Sequence, residues 1–121
     1  VGAAQIITAV MDEWQAGIDG QDPARVAAVF AEDAVFQGLR PHGVGRDAVA
    51  AYYGSQPAGM TVTYRILESR SPAYGVVLGY LAATFAYCDR PAVKLAIGVV
   101  FTKDRDRRQV AQYEASQRLP T

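Results

Sequence analysis

The hydrophobic period of this chain changes once, near residue 60, and that change constrains its fold more than any other feature. Upstream, Ile6, Ile7, Val10, Met11, Trp14 and Ile18 recur at three- and four-residue intervals and predict an amphipathic helix over residues 5–18, stopped by Gly20. Asp22-Pro23 restarts the helical pattern, with Asp as N-cap and Pro in the first turn. Val26, Val29 and Phe30 are expected on the buried face of this short helix, and Glu32-Asp33 at its end. Residues 34–36 predict a brief strand, and the Gly- and Pro-bearing residues 38–46 a loop. A third helix is expected from about Asp47, with Val49, Tyr52 and Tyr53 on its apolar side, Gly54 as its stop and a second loop over residues 55–60.

Downstream the period is two. Residues 61–69, 74–88, 92–102 and 108–119 read as strands, joined in part by Asp89-Arg90-Pro91 and by a charged turn over residues 103–107. Consecutive strands with short turns imply an antiparallel meander. Helices first and a sheet second predict an α+β fold: three N-terminal helices packed in a curved antiparallel sheet, as one domain over residues 1–121.

The 121 residues carry 12 basic and 12 acidic side chains, a formal net charge of zero. Nucleic acid and anionic membrane both need a cationic field, so neither is expected as the partner. No apolar run approaches the roughly 20 residues of a membrane-spanning helix, and no secretory leader is recognisable. A cytoplasmic location is therefore expected, and the excess of Arg over Lys fits a GC-rich bacterial genome. The chain opens at Val1, so an initiator Met or a longer segment is expected to precede it. The single Cys88 cannot form a disulfide within the chain, and no His/Cys/Asp/Glu spacing resembles a metal-ligand set. No cofactor is expected.

A twisted sheet wrapped around helices leaves a cavity where the two diverge, so a small hydrophobic molecule is the expected partner. Residues 95–101 are apolar on both faces of their strand, which predicts burial on both sides and a homodimer through the outer face of the sheet.

The order of motifs carries a resemblance. An opening helix ends near Gly20-Gln21-Asp22, and Val29-Phe30-Ala31-Glu32-Asp33-Ala34-Val35-Phe36 follows. Then come the helix start Gly43-Val44-Gly45-Arg46-Asp47-Ala48-Val49 and a terminal strand ending Tyr113-Glu114-Ala115-Ser116. Over nearly its whole length the chain resembles the cone-shaped nuclear transport factor 2-like superfamily, in its SnoaL-like branch. That superfamily includes ketosteroid isomerases, polyketide cyclases, dehydratases, epoxide hydrolases and non-enzymatic binding domains, so the resemblance implies a fold more than an activity. In the isomerases an Asp moves the proton, and a Tyr and a protonated Asp form the oxyanion hole. Aligned on that pattern, the base position falls on Gly38, the Tyr position on or near Trp14, and the acidic position near Val99. All three groups are absent, and no slip of alignment brings an Asp into residues 95–101.

The resemblance implies that Gln112, Glu114 and Ser116, which share one face of the last strand, point into the cone. Glu114 is then the candidate catalytic acid/base, because a carboxylate under a helical lid has its pKa raised by desolvation. The other reading places it at an open mouth or beside an Arg. Trp14, Tyr53, Gln112, Ser116 and the loop residue His42 are the candidate substrate-binding residues, although His42 also fits an exposed turn and the aromatic residues also fit plain core packing. Gly43-x-Gly45 lacks a full phosphate-binding fingerprint, and Ser116 lacks a nucleophile elbow. The expected function is a pocket for a small hydrophobic metabolite, with cofactor-free isomerase, cyclase, dehydratase or hydrolase chemistry at Glu114. The alternative is a non-catalytic ligand-binding or dimerisation module.

Overall fold

The structure, a computed structural model, describes residues 2–119. The first helix, α1 (Ala3–Asp19), buries Ile7, Val10, Met11, Trp14, Gly17 and Ile18, the stripe expected from the sequence. Gly17 is required by a close approach: a Cβ there would lie 2.8 Å from Val26 Cγ2 and 2.9 Å from the Val26 backbone nitrogen. Helix α2 (Pro23–Ala27) is capped by the Asp22 carboxylate, which accepts the Arg25 N–H at 3.1 Å. It ends earlier than its hydrophobic spacing implies. Val29 and Phe30 are not on the helix, because the Val110 N–H donates to the Val29 carbonyl at 2.8 Å and draws the chain into the sheet at Phe30. Tertiary pairing overrides the local helical pattern here.

Strand β1 (Phe30–Gln37) is followed by the two-residue β2 (Gly43–Val44), inside the stretch expected to be a loop, and then by α3 (Arg46–Gly54). Four long strands complete the chain: β3 (Thr61–Ala73), β4 (Val76–Ala86), β5 (Val93–Asp104) and β6 (Arg107–Gln117). The six strands form one sheet in the order β2-β1-β6-β5-β4-β3. All neighbours are antiparallel except β1 and β6, which run parallel. The fold is thus α+β, with the sheet curling around the helices. Among the described residues no helix is long and apolar enough to cross a membrane.

One irregularity sets which side chains β6 turns to the inner face. Phe101 pairs with Val110, yet the adjacent Val100 pairs with Gln112, so Ala111 is an extra residue on β6. This β-bulge shifts the alternation by one position. Val110 points inward before it, and Tyr113 and Ala115 point inward after it, while Gln112, Glu114 and Ser116 are turned to the outer face and exposed. The expectation that Gln112, Glu114 and Ser116 face the cone is corrected by this register.

The interior of the cone is filled by aromatic rings. Tyr113 stacks on Phe36 with centroids 4.8 Å apart, and Trp14 and Phe30 lie against Tyr113 at 6.1 Å and 6.0 Å. Trp14, Phe30 and Phe101 are fully buried. These rings take up the centre of the hollow expected from the sheet's curvature, and cavities of about 210 Å³ and about 130 Å³ remain beside it, both bordered by Tyr53 and Met60.

Candidate functional site

The cavity at the mouth has a volume of about 130 Å³. The end of β1 and the following turn supply Gly38, Leu39 and Arg40. Helix α3 supplies Tyr52 and Tyr53, the 55–60 loop supplies Gln56 and Met60, and Phe85, Tyr87, Leu95, Tyr113 and Ala115 line the sheet side. Tyr52 and Tyr53 are adjacent on α3, yet both line this space. Their rings meet edge to face at 5.1 Å, and Tyr52 also packs on Phe36 at 4.9 Å.

At the floor of this cavity three polar groups form a short chain. The Trp14 indole N–H donates to the Tyr53 hydroxyl at 3.0 Å, and the Tyr53 and Tyr113 hydroxyls lie 3.5 Å apart. The indole is a donor only, and each phenol has one proton. The cluster therefore holds three protons and makes two contacts, whichever phenol donates to the other. One phenol O–H is left over, no further hydrogen bond of either hydroxyl is present among the described residues, and Tyr53 and Tyr113 both line the cavity. A hydrogen bond to this proton contributes about 0.5–1.5 kcal/mol net, enough to orient an acceptor placed there.

Neither phenol serves as a ready proton carrier. Burial pushes the Tyr53 phenol above its ordinary value despite hydrogen bonds from Tyr113 and Trp14 that act the other way. Burial, reinforced by the neighbouring Tyr53, raises Tyr113 well above its ordinary value. Among the described residues, the other ionisable side chains lining the cavity are Tyr52, Tyr87 and Arg40, with no carboxylate or imidazole. Among the described residues no three His, Cys, Asp or Glu side chains gather as a metal-ligand group.

Of the residues singled out in the sequence, Tyr53 lines the cavity. Trp14 lies beneath it, wholly buried, with its N–H committed to Tyr53 rather than open to a ligand. His42 is exposed in the β1–β2 turn, away from the cavity lining. Gln112 and Glu114 border a separate hollow of about 390 Å³ on the outer face, together with Leu78, Tyr80, Gly98 and Arg70. Ser116 borders a neighbouring outer hollow that also includes Glu114 and Gln37. The candidates expected inside the cone thus divide between two opposite faces of the sheet, and Glu114 shares its outer hollow with Glu68 and Arg70, which are paired with each other at 2.7 Å.

Tyr113 was the residue missed, and polarity along β6 carried the signal: Val110, Tyr113 and Ala115 are the apolar set, and Gln112, Glu114 and Ser116 the polar one. Gly38 has a different role from an absent base. A Cβ at this position would lie 2.3 Å from the Tyr52 Cζ and Oη atoms, so the Tyr52 ring occupies the space where a side chain would project. The Tyr52 hydroxyl accepts the Leu39 N–H at 3.2 Å, which holds the ring there.

No protein-family model matches the sequence, and no curated protein matches it. Solved structures share its fold. A domain of unknown function with a cystatin-like fold from Nostoc punctiforme superposes with a TM-score of 0.85 at 16% identity, covering 98% of this chain and 78% of that one. A ketosteroid isomerase-like protein from Erwinia carotovora atroseptica gives 0.80 at 21% identity, covering 97% of each chain. An NTF2-like protein of unknown function from Shewanella oneidensis gives 0.81 at 13% identity, covering 93% of this chain and 98% of that one. The chain has the nuclear transport factor 2-like, cystatin-like cone fold, and at these identities the likeness extends to fold alone.

Proposed function

We propose that this protein is a non-catalytic binder of a small, mostly apolar ring compound carrying one hydrogen-bond acceptor, held in the mouth cavity. The observation that carries this reading is the surplus phenol O–H of the Tyr53–Tyr113 pair, two residues that line a cavity walled mainly by aromatic and aliphatic side chains. Size narrows the ligand. A cavity of about 150 Å³ accepts benzene, so a mouth of about 130 Å³ that opens to solvent suits one six-membered ring rather than a fused ring system. Binding without turnover is supported by the lining. The isomerase base position is the crowded Gly38, the acidic position is the buried Val99, and Glu114 lies on the other face.

Calorimetric titration with cyclohexanone and with methylenecyclohexane tests this reading, because the two share a shape and differ in the acceptor. Cyclohexanone is expected to bind about tenfold tighter, the worth of one buried hydrogen bond of about 1.4 kcal/mol. The advantage is expected to survive Tyr113→Phe, where Tyr53 keeps a free proton, and to vanish in Tyr53→Phe/Tyr113→Phe. Equal affinities for the two probes, or consumption of cyclohexanone by the protein, would overturn the reading.

A homodimer through the outer sheet face belongs to the same proposal. Val35, Leu78 and Tyr80 stand 41%, 39% and 46% exposed there, around the glycine floor at Gly98. Rows of cross-strand neighbours, Leu78–Val100–Gln112 and Tyr80–Gly98–Glu114, give this face an apolar centre with polar ends. Light scattering is expected to give twice the monomer mass, and a monomer at high micromolar concentration would defeat the dimer.

A further inference from the structure

We infer that the ligand of the mouth cavity is an anionic monocycle: a six-membered ring with an oxygen acceptor at one end and a carboxylate at the other. This inference rests on the reading of the mouth as a binding cavity and adds the charge of what it binds. The lining of the cavity combines hydroxyl groups, the Gln56 amide and one cation. Its floor offers the surplus phenol proton of Tyr53 or Tyr113. Its rim carries Arg40, which follows directly from the turn after β1.

Arg40 is the charge at this opening that lacks compensation. Among the described residues its one side-chain partner is the Ser55 hydroxyl, 3.3 Å from one guanidinium nitrogen, and no carboxylate lies within ion-pair distance. The nearby Arg90 differs: its guanidinium lies 5.6 Å above the Tyr87 ring and is bonded to Asp89 at 2.9 Å, so its charge is matched within the chain. No acidic side chain lines the cavity to repel an anion. A guanidinium offers up to five N–H donors in a planar fork, and a hydroxyl engages one of them, leaving the fork open to a carboxylate. A ring seated between Tyr52, Phe85 and Tyr87 with its acceptor on the floor would present its opposite substituent to this rim.

The matched probes are 4-oxocyclohexanecarboxylate and its neutral isostere 4-oxocyclohexanecarboxamide, with cyclohexanone as the parent ring. Because Arg40 is exposed, its ion pair with a ligand falls in the range of solvent-screened pairs, up to about fivefold in affinity at low ionic strength. The carboxylate is expected to bind about fivefold tighter than the carboxamide at 20 mM salt, roughly one Debye length of 20 Å, and to lose most of that advantage at 0.5 M salt. In Arg40→Gln the preference is expected to fall to about one, and in Arg40→Lys to persist in part, since charge remains without the fork. Cyclohexanone binding with no carboxylate preference would overturn this inference and leave the binding reading standing. A carboxylate preference undiminished in Arg40→Gln would overturn it as well, by assigning the charge to another group. Binding of none of the three probes would overturn the binding reading and this inference with it.

Discussion

Replacing Tyr53 by Phe and Tyr113 by Phe removes the same atom from two neighbouring rings, and the geometry assigns the two changes different consequences. Both leave the ring, its apolar burial and its aromatic contacts in place. Tyr53→Phe deletes the acceptor of the Trp14 indole N–H, which lies in a fully buried side chain with no other partner among the described residues. An unsatisfied buried donor costs about 1–3 kcal/mol. Tyr113→Phe deletes a phenol linked to Tyr53 by a long 3.5 Å contact and leaves the indole bond untouched. Its expected loss is about 0.5 kcal/mol, at the weak end of the range for hydrogen bonds. At about 4 °C per kcal/mol for a domain of this size, Tyr53→Phe is expected to lower the melting temperature by about 4–12 °C and Tyr113→Phe by about 2 °C. Urea denaturation should rank the two in the same order with unchanged slope. Equal losses, or a larger loss for Tyr113→Phe, would refute the donor chain from Trp14 outward.

Gly38→Ala places a methyl group against Tyr52 and is expected to destabilise by about 1–3 kcal/mol, with partial rescue by Tyr52→Ala in the same chain; an unperturbed Gly38→Ala melting curve would contradict the crowding. Alkaline pH acts through the buried phenols. Unfolded tyrosines ionise near pH 10, while burial raises Tyr53 and Tyr113, and burial with Asp12 nearby raises Tyr64. Above pH 10 the unfolded chain therefore binds fewer protons, so their contribution to stability is complete below about pH 10 and is lost as pH rises further. The double variant Tyr53→Phe/Tyr113→Phe should lose stability less steeply over pH 10–12 than the parent, and an identical slope would contradict the assignment. On the outer face, Tyr80→Lys should convert a dimer into a monomer by light scattering with little change in melting of the monomer, whereas a retained dimer would remove this face as the interface.

Most of the fold was legible because it follows from local patterning. The stripe from Ile7 to Ile18 fixes α1, Asp22-Pro23 starts α2, and the period-two segments give β3 to β6 within a few residues. What was not legible depends on partners distant in sequence. Val29 and Phe30 have helical spacing, and only the parallel pairing of β1 with β6 draws them into the sheet. The two-residue β2 exists only because β1 lies beside it. The phase of β6 is the most consequential case, since a single extra residue at Ala111 exchanges the faces of Tyr113 and Glu114. Strict alternation counted along one strand misses a bulge that is defined by the strand opposite, and only the polarity of the side chains on β6 hints at the shift. Tyr53 was legible as an inward-facing residue because the face of α3 does not depend on such register, whereas the place of Arg40 beside the same cavity depends on a turn set by the chain on either side.

The chain contains one tryptophan, so its indole N–H gives a single NMR cross-peak that reports on the floor of the mouth cavity. An acceptor bound to the surplus phenol proton polarises the Tyr53–Trp14 bond beneath it. Titration with cyclohexanone should move this cross-peak along a saturable curve with the calorimetric Kd, together with the amides of Gly38 and Leu39. Saturable shifts confined to Leu78, Gly98 and Glu114 on the outer face, or no saturable shift at all, would contradict the account.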